Sequence, residues 1–396
     1  MIPFVELNEA VELLRNGASI KQSDYAGGTP ISRIETIANW NVNPERCGYA
    51  DMSEDDFPNH ILQDGDILIS HINSTKHLGK CAMYKGVPEK LIHGMNLLCL
   101  RVNADVANPG YIYRVLSSRE FRKQLSRITK NSVNQSSFTV PNYKALQIPL
   151  PSLKEQKRIA AILDKADAIH RKRQQAIDLT DQLLRSVFLD MFGDPVTNPK
   201  GWRKELFGNL GAWASGGTPS RKQKEYFQGD INWYSAGELN TRYVESSIEK
   251  ITKSAIEESA AKLFKSGSIL LGMYDTAAFK SSILKTDSAC NQACANLDPN
   301  DLLSVEWFYS YISISKDHYL RLRRGVRQKN FNLGMIKEFE LPLPPIEKQI
   351  EFEKICKSIL EVGIDSIEHN KFTNSLFNSL VQKAFNGELT YKIKAA

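Results

Sequence analysis

The sequence of 396 residues lacks the features that mark membrane, secreted and metal-binding proteins. It contains no run of about 18 apolar residues, so no membrane-spanning helix is predicted. Its start, MIPFVELNEAVELLRNG, has neither a basic segment nor a long apolar run and does not resemble a signal peptide. The six cysteines are dispersed and form no CxxC pair, which disfavours a zinc site and is typical of a reducing compartment. We therefore expect a cytoplasmic protein with no bound metal.

Sequence motifs of common enzymes are missing as well. There is no GxxxxGK[ST] motif for ATP, no glycine-rich loop of a dinucleotide-binding unit, and no [N/D]PP[Y/F] motif of amino-methyltransferases. Asp64 and Asp66 precede a predicted strand and are better interpreted as turn residues than as metal ligands. His71, His77 and His93 lack the spacing of a metal site. We predict no catalytic residue, no metal ligand and no cofactor bound by this chain.

The composition is that of an ordinary globular protein. Hydrophobic residues make up 42% and charged residues 24% of the chain, and the net charge is +6. This excess permits a polyanionic partner, although the clustering of the charges matters more than their sum. At roughly 100–200 residues per domain, the length predicts two or three domains.

The clearest feature is an internal repeat. IPLPSLKEQKRIAAIL (148–163) recurs as LPLPPIEKQIEFEKIC (341–356), and the two copies lie 193 positions apart. The residues that recur are Pro149 with Pro342, Pro151 with Pro344, and Gln156 with Gln349. Upstream, GDILIS (65–70) pairs with GSILLG (267–272) at a drifting offset, as expected where loops vary. The chain is therefore predicted to contain two related units.

One apparent match does not fit this register. GGTP occurs at 27–30 and at 216–219, which requires an offset of 189 instead of about 201. We interpret it as a coincidence. The second copy aligns instead with NGAS (16–19), which pairs Gly17 with Gly217.

Each unit ends in a predicted long helix with a heptad pattern of apolar residues. The first seam comprises Ile159, Ile162, Ala166, Ile169, Ala176, Leu183 and Val187, and the second comprises Phe352, Ile355, Ile359, Val362, Leu376 and Leu380. Residues 154–190 alone would form a helix of about 55 Å, which needs a partner for stability. We expect the two helices to pair as an antiparallel coiled coil; the alternative is that each packs only on its own unit.

The predicted fold class is α+β, with two tandem α/β domains separated by the two-helix antiparallel coiled coil and related by a pseudo-two-fold repeat. Strand-like runs dominate the first half of each block and helical stretches dominate the second. The predicted limits are 1–150 for the first domain, 151–191 for the central helix, 192–343 for the linker and second domain, and 344–396 for the C-terminal helix and tail.

Basic residues cluster near the end of each block and suggest contact with DNA. The candidates are Arg122, Lys123, Arg127 and Lys130 in the first block and Arg323, Arg324, Arg327 and Lys329 in the second. Each cluster leads into a polar segment, NSVNQSSF (131–138), which includes Asn134, or RQKNFN (327–332). Lysine and arginine neutralise phosphates, and amide and hydroxyl side chains can read bases. The alternative is a solvated helix face.

Two further polar loops follow the paired GDILIS and GSILLG strands. Lys76 and Lys80 in the first loop, and Tyr274 and Lys280 in the second, are weaker DNA-binding candidates, because such loops are equally well explained as hairpin tips. Trp233 and Tyr234 are predicted to lie in the core.

The order of these strings resembles the DNA-specificity subunit of type I restriction–modification systems. The resemblance rests on the two PLPxxxxQ helix starts, on LDMFGDPVTNPKGW (189–202) and on AFNGEL (384–389), and it covers essentially the whole chain. It implies two target recognition domains, each reading one half of a bipartite, asymmetric site in double-stranded DNA. It also implies that the paired helices fix the spacer between the half-sites.

The resemblance assigns all chemistry to partners. Two methyltransferase subunits that use S-adenosylmethionine would dock on the helices, and restriction subunits that use ATP and Mg would join them. One departure is that residues 1–20 lack a counterpart of the NPKGW that precedes the second block, so how they dock stays open. The alternative function is a coiled-coil scaffold that binds proteins and has no role in DNA recognition.

Overall fold

The computed structural model describes residues 2–23, 27–50, 58–132, 135–322, 330–361 and 383. These residues form a mixture of helices and short strands and divide into two compact units, with the boundary between Lys172 and Arg173. This boundary lies inside a long helix and not at the ends of that helix. Within the described ranges, no helix combines the length and apolar composition needed to cross a membrane.

The first unit alternates short strands with three short helices before the long helix begins. Its strands are β1 Phe4–Glu6, β2 Val11–Asn16, β3 Gln22–Ser23, β4 Thr29–Ile31, β5 Gly48–Ala50, β6 Ile67–Ser70, β7 Ile72–Asn73, β8 Cys81–Met83, β9 Leu97–Val102, β10 Lys130–Asn131, β11 Ser136–Ser137 and β12 Gln147–Pro149. Its helices are α1 Pro109–Ser117, α2 Arg119–Leu125, α3 Val140–Lys144 and the first part of α4 Leu153–Phe192.

The main sheet of the first unit is antiparallel, with the order β2-β9-β6-β8. Successive side chains of a strand point to opposite faces. Ile67 and Ile69 accordingly lie in the hydrophobic cluster on one face, whereas Leu68 lies in the cluster on the other. Because both faces are covered, β6 and β9 are almost continuously apolar, which is why ILIS and LLCLRV are conspicuous in the sequence.

The second unit repeats this plan. Its strands are β13 Lys204–Leu206, β14 Gly211–Ser215, β15 Ile231–Tyr234, β16 Tyr243–Val244, β17 Glu249–Ile251, β18 Ile269–Gly272, β19 Ser281–Leu284, β20 Ala289–Cys290, β21 Cys294–Pro299 and β22 Glu340–Pro342. Its helices are the rest of α4, α5 Lys253–Glu257, α6 Val305–Arg321, α7 Leu333–Lys337 and α8 over residues 346–361. The main sheet has the order β14-β21-β18-β19-β16, and its first four strands match those of the first unit.

The start of each unit pairs with the strand that precedes its long helix. β1 pairs antiparallel with β12, and β13 pairs in the same way with β22. Residues 4–6 are therefore the counterpart of residues 204–206. In the second unit, this strand follows the NPKGW segment.

The glycines after β2 and β14 show which residues of the two units correspond. A β-carbon on Gly17 would lie 2.2 Å from the Gly94 carbonyl oxygen, and one on Gly216 would lie 2.3 Å from that of Cys290. Only glycine allows such close backbone approach. The GGTP at 27–30 leads instead into β4. The structure thus supports rejecting the GGTP match, but it pairs Gly17 with Gly216 and not with Gly217.

A buried glutamine fixes the start of the long helix in the first unit. The side-chain amide of Gln156 donates to the carbonyl oxygens of Pro151, at 2.8 Å, and Val106, at 2.9 Å. Its oxygen accepts from the backbone N–H of Asn108, at 2.8 Å. Asn108 is the N-cap of α1. Gln156 is fully buried, and it joins the helix start to the loop that begins α1. We call this arrangement the glutamine latch.

The same latch recurs in the second unit. Gln349 donates to the carbonyl oxygens of Pro344, at 2.8 Å, and Leu302, at 3.1 Å. It accepts from the backbone N–H of Ser304, at 3.0 Å, and Ser304 is the N-cap of α6. The second proline and the glutamine of the PLPxxxxQ motif therefore repeat their structural roles as well as their sequence.

The helix residues predicted for pairing fall into different environments. Ile159 is fully buried in the core of the first unit, and Phe352 is fully buried in the core of the second. Their assignment to a helix–helix seam was wrong, because a helix face that packs on its own domain has nearly the same apolar spacing as a heptad. For these two positions the alternative, packing on the helix's own unit, holds.

Replacement of Gln349 by alanine should destabilise the second unit by about 3 kcal/mol, because three buried backbone groups lose their partner. Urea unfolding of the full chain measures this change. The control is Gln228→Ala at an exposed position, for which we expect a change within about 0.5 kcal/mol. Equal effects of the two substitutions would contradict a structural role for the latch.

His93 should make the first unit sensitive to acid. Burial lowers its pKa to about 4, and its Nε2 lies 2.9 Å from the carbonyl oxygen of Leu97. Since the unfolded chain binds the proton near pH 6.5, stability should fall by about 3 kcal/mol as pH falls from 6.5 to 4. His93→Gln should flatten this part of the curve of unfolding free energy against pH. Identical slopes for both proteins would refute the prediction.

Candidate nucleic-acid interface

In the first unit, two polar segments that were considered separately in the sequence lie side by side. β10, β11 and β7 form a small antiparallel sheet in that order, in which Ser136 pairs with Asn73. The hydroxyl groups of Thr75 and Ser136 lie 2.8 Å apart. The loop after β6 and the segment after α2 therefore form one continuous polar surface.

Four predicted cations lie in or near these two segments in sequence and are exposed: Lys76, Lys123, Arg127 and Lys130. They come from the loop after β7, from α2, from the turn after α2 and from β10. Within the described part of the chain, no carboxylate forms an ion pair with any of them. Exposed cations without such partners are available to an external anion.

Two other cations of the first unit are occupied by structural contacts. The Lys80 ammonium donates to the carbonyl oxygen of Ala38, at 2.9 Å. The Arg122 guanidinium lies 4.9 Å from the ring centroid of Trp40, and its Nε is buried. Both side chains thus hold the loop at residues 38–40, and the geometry gives them a packing role instead of the predicted DNA contact. The sequence could not show this, because the contacts span 42 and 82 positions.

The second unit joins the equivalent segments in the same way. The backbone N–H of Phe331 donates to the carbonyl oxygen of Met273 at 2.9 Å, just as that of Phe138 donates to His71 at 3.3 Å in the first unit. Asn330 adds a side-chain bond, because its Oδ1 accepts from the backbone N–H of Asp275 at 3.0 Å. We call residues 274–278 the tip loop.

The two DNA-binding candidates in or near the tip loop differ in whether their polar groups are free to contact DNA. Tyr274 is 36% exposed and lies at the start of the loop. The Lys280 ammonium donates to Oδ1 of Asn240 at 2.7 Å, so it is engaged within the unit. Asp275 was not among the candidates from the sequence, and Asn330 was included only as part of the segment RQKNFN (327–332).

Aromatic side chains anchor both polar segments to the cores. The Phe138 ring stacks on Tyr143, with 4.8 Å between centroids and 11° between planes. In the second unit, Phe331 meets the edge of Phe279 at 5.2 Å, and Phe279 stacks on Tyr319 at 4.9 Å. Burial of these rings fixes the position of the exposed residues beside them.

Three further residues lie in the environments that were expected from the sequence. Trp233 and Tyr234 are buried, which confirms their prediction as core residues. Asp66 accepts from the backbone N–H of Gln63 at 2.8 Å, which agrees with turn chemistry. It also accepts from the Arg101 guanidinium, at 2.7 and 2.8 Å. The described residues contain no group of three or more potential metal ligands.

Arg221, an exposed arginine of the second unit that was not a candidate from the sequence, is held by two aromatic rings and a carboxylate. The Arg221 guanidinium lies 4.2 Å from the ring centroid of Phe227 and 5.2 Å from that of Trp233. It also pairs with both oxygens of Glu249. Its charge is thereby largely neutralised, so it is a weaker anion ligand than a free arginine would be.

The long helix carries apolar side chains that neither core covers. Leu179 is 64% exposed, and Ile169 and Leu183 are about half exposed. Ile162 is half-buried, whereas Val187 packs against the core of the second unit. In α8, Ile355 is half-buried and Ile359 packs against the core of the second unit.

Several predicted residues lie outside the described ranges. They are Asn134, Arg323, Arg324, Arg327 and Lys329 among the DNA-binding candidates, and Val362, Leu376 and Leu380 among the helix candidates. Their roles stay predictions from the sequence.

Comparison with known proteins identifies relatives of the whole chain. The model of the type I restriction modification DNA specificity domain matches twice, over residues 3–179 and 199–374. A protein of Methanocaldococcus jannaschii, assigned by name to the type I restriction enzyme MjaX as its specificity subunit, is 30% identical over 98% of this chain and 93% of its own length. The EcoKI specificity subunit of Escherichia coli is 29% identical over 48% of this chain and 42% of its own length.

A solved structure shares the fold. The crystal structure of a type I restriction-modification S subunit from M. genitalium superposes with a TM-score of 0.65, covering 97% of this chain and 96% of that one. The sequence identity is 12%, so this likeness shows the common fold alone. The two matches of the family model agree with the two repeated units of the chain.

Proposed function

Because the chain belongs to the family of type I restriction-modification DNA specificity subunits, we propose that its two units read the two halves of a bipartite, asymmetric DNA site. The observation that carries the proposal is the repeated backbone bond from Phe138 to His71 and from Phe331 to Met273. It joins two polar segments at the same place in both units. The side chains that these segments display differ, so the two half-sites should differ in sequence.

In the first unit, we assign the phosphate contacts to the exposed cations Lys76, Lys123, Arg127 and Lys130. Cations bind phosphates without reading the sequence, whereas the hydroxyl and amide groups of the small sheet can bond to base edges. In the second unit, Tyr274 is the exposed candidate, together with the sequence-based candidates Arg323, Arg324, Arg327 and Lys329. Lys80, Arg122 and Lys280 position loops and do not contact DNA directly.

We further propose that α4 and the C-terminal helix form an antiparallel coiled coil that sets the spacer. Support comes from the exposed apolar side chains Ile169, Leu179 and Leu183, because a surface helix without a partner would not favour them. The helix pair and nearby surfaces would dock methyltransferase subunits, with two as the expected number. Restriction subunits would join that complex.

Catalysis belongs to the partners in this proposal. The methyltransferase subunits would use S-adenosylmethionine, and the restriction subunits would use ATP and Mg. The specificity subunit would supply sequence recognition and positioning, and the complex would act on DNA in the cytoplasm.

A second candidate is a coiled-coil scaffold that binds proteins without DNA specificity. The same exposed apolar residues of α4 favour it. Duplex binding by the chain mixed with a cognate methyltransferase distinguishes the two functions, because a pure scaffold would not add a sequence preference.

Replacing Lys130 with alanine should make the negative slope of log affinity against log salt concentration shallower by about 0.9, since one phosphate contact is lost. The double variant with Lys76→Ala and Lys130→Ala should show twice this change in slope and keep the preferred DNA sequence. Salt titrations of duplex binding by the chain with its methyltransferase measure both effects.

The matched control for these variants is Lys85→Ala. Lys85 is exposed on the loop after β8 and lies outside the small sheet. Its loss should leave the slope unchanged. If the slope of all three variants equals that of the unmodified protein, the small sheet is excluded as a phosphate-binding surface.

Insertion of one heptad into α4, matched in the C-terminal helix, should lengthen the spacer and leave both half-sites intact. Seven residues add about 10.5 Å of helix, or about three base pairs at 3.4 Å each. Sequencing of methylated sites in a strain with the insertion tests this expectation. A changed half-site sequence with an unchanged spacer would refute the role of the helices.

A further inference from the structure

A short turn of the second unit presents an exposed amide beside the candidate interface. Residues 291–293 join β20 to β21, and Gln292 is exposed at their centre. The backbone N–H of Met273 donates to the carbonyl oxygen of Ala293 at 2.8 Å, and the carbonyl oxygen of Met273 accepts from Phe331 at 2.9 Å. One residue thus connects this turn to the start of the tip loop and to the second polar segment. We call residues 291–293 the amide turn.

The amide turn is held by its neighbours and not by the side chain at its centre. The backbone N–H of Asn291 donates to the carbonyl oxygen of Tyr234 at 2.9 Å. The Asn291 side-chain oxygen accepts from the backbone N–H of Ala293 at 3.0 Å. The backbone N–H of Cys294 closes the turn on the carbonyl oxygen of Asn291 at 3.1 Å. The fold therefore fixes the turn whichever side chain stands at position 292.

The loop after β14 orients the Gln292 side chain. The hydroxyl of Thr218 donates to its Oε1. This loop lies close against the turn, because a β-carbon on Gly216 would lie 2.4 Å from the carbonyl oxygen of Asn291. An amide oxygen has two lone pairs and can accept a second bond. Among the described residues, none accepts a hydrogen bond from Nε2 of Gln292. The amide is thus oriented and still offers a donor and an acceptor.

The first unit has the same turn with a different side chain at its centre. Residues 94–96 precede β9, and the backbone N–H of Leu97 closes the turn on the carbonyl oxygen of Gly94 at 3.3 Å. The central residue is Met95, which is 48% exposed. A thioether cannot donate a hydrogen bond, whereas the Gln292 amide can. The two units therefore present different chemistry at one equivalent position, as readers of two different half-sites require.

The chemistry of an amide indicates which base it recognises. In the major groove, adenine presents the N6 amine as a donor beside N7 as an acceptor, and glutamine matches both groups with one amide. Guanine presents two acceptors at this edge, and cytosine presents an amine without N7. A neutral amide also lacks the charge that draws lysine and arginine to phosphates.

We propose that Gln292 is a specificity-determining residue that recognises an adenine in the half-site read by the second unit. Its Oε1 accepts from the N6 amine, and its Nε2 donates to N7. Thr218 is a positioning residue, whose hydroxyl holds the amide in the required orientation before DNA binds. The inference rests on the proposed function of the second unit in DNA recognition.

The test compares Gln292→Met and Gln292→Glu with the unmodified chain, each in complex with its methyltransferase. Duplexes selected by binding from a library with both half-sites randomised give the base preference at every position. Thermal unfolding of each variant gives its stability. The methionine variant places the residue of the first unit in the equivalent turn, so the fold should accept it.

We expect Gln292→Met to unfold at the temperature of the unmodified chain and to lose about tenfold in preference for adenine at one position. Gln292→Glu accepts from amines but cannot donate to N7, so the preference at that position should move from adenine to cytosine. The other half-site and the spacer should not change. The control Gln228→Met, at an exposed position outside the amide turn, should alter nothing.

The role of Thr218 is tested by two substitutions of similar size. Thr218→Val removes the hydroxyl and should reduce the adenine preference about threefold, because one hydrogen bond that orients the amide is lost. Thr218→Ser keeps the hydroxyl and should retain the preference. Equal losses in both variants would show that the hydroxyl does not position Gln292.

Three outcomes would overturn the proposal for Gln292. The first is an unchanged preference at every position in Gln292→Met. The second is a loss of binding that is equal for all sequences, which would make Gln292 a contact to the DNA backbone. The third is a base other than adenine at the position that responds. A complex of the unmodified chain with no sequence preference would instead reject the proposed function itself.

Discussion

The glutamine latch is the interaction on which the architecture of each unit depends. A single buried side-chain amide bonds to a prolyl carbonyl at the helix start, to a loop carbonyl and to the backbone N–H of the N-cap residue of α1 or α6. Buried polar groups need such partners, and glutamine supplies both donors and an acceptor from one side chain. The helix that leaves each unit is therefore fixed to the helix that precedes the polar surface. Any divergence of the surface loops leaves this joint unchanged.

The parts of the fold that sequence could predict are those governed by local rules. The helix starts after Pro151 and Pro344, the apolar strands β6 and β18, and the doubling of the plan all follow from motifs or periodicity within short windows. Long-range contacts were not accessible in this way. Lys80 and Arg122 bind a loop that lies far away in sequence, and nothing near them indicates it.

Periodicity also misled at particular helix positions. Ile159 and Phe352 have the spacing of a coiled-coil seam but are buried in their own units, because both environments demand an apolar residue every three to four positions. For the candidate interface, the sequence predicted the polar segments but not their contact with one another. The pairing of β11 with β7 and the bond from Phe331 to Met273 depend on tertiary structure.

The two ends of the long helix contribute side chains to two separate hydrophobic cores. Ile159 and Leu163 belong to the first core, and Leu184, Phe188 and Phe192 belong to the second. Between Lys172 and Gln182, no described residue of the helix belongs to either core. A genetic crossover within this stretch would exchange one of these hydrophobic cores for another without mixing the packing of either. The structure therefore contains a point at which recombination could combine different units without redesign of a core.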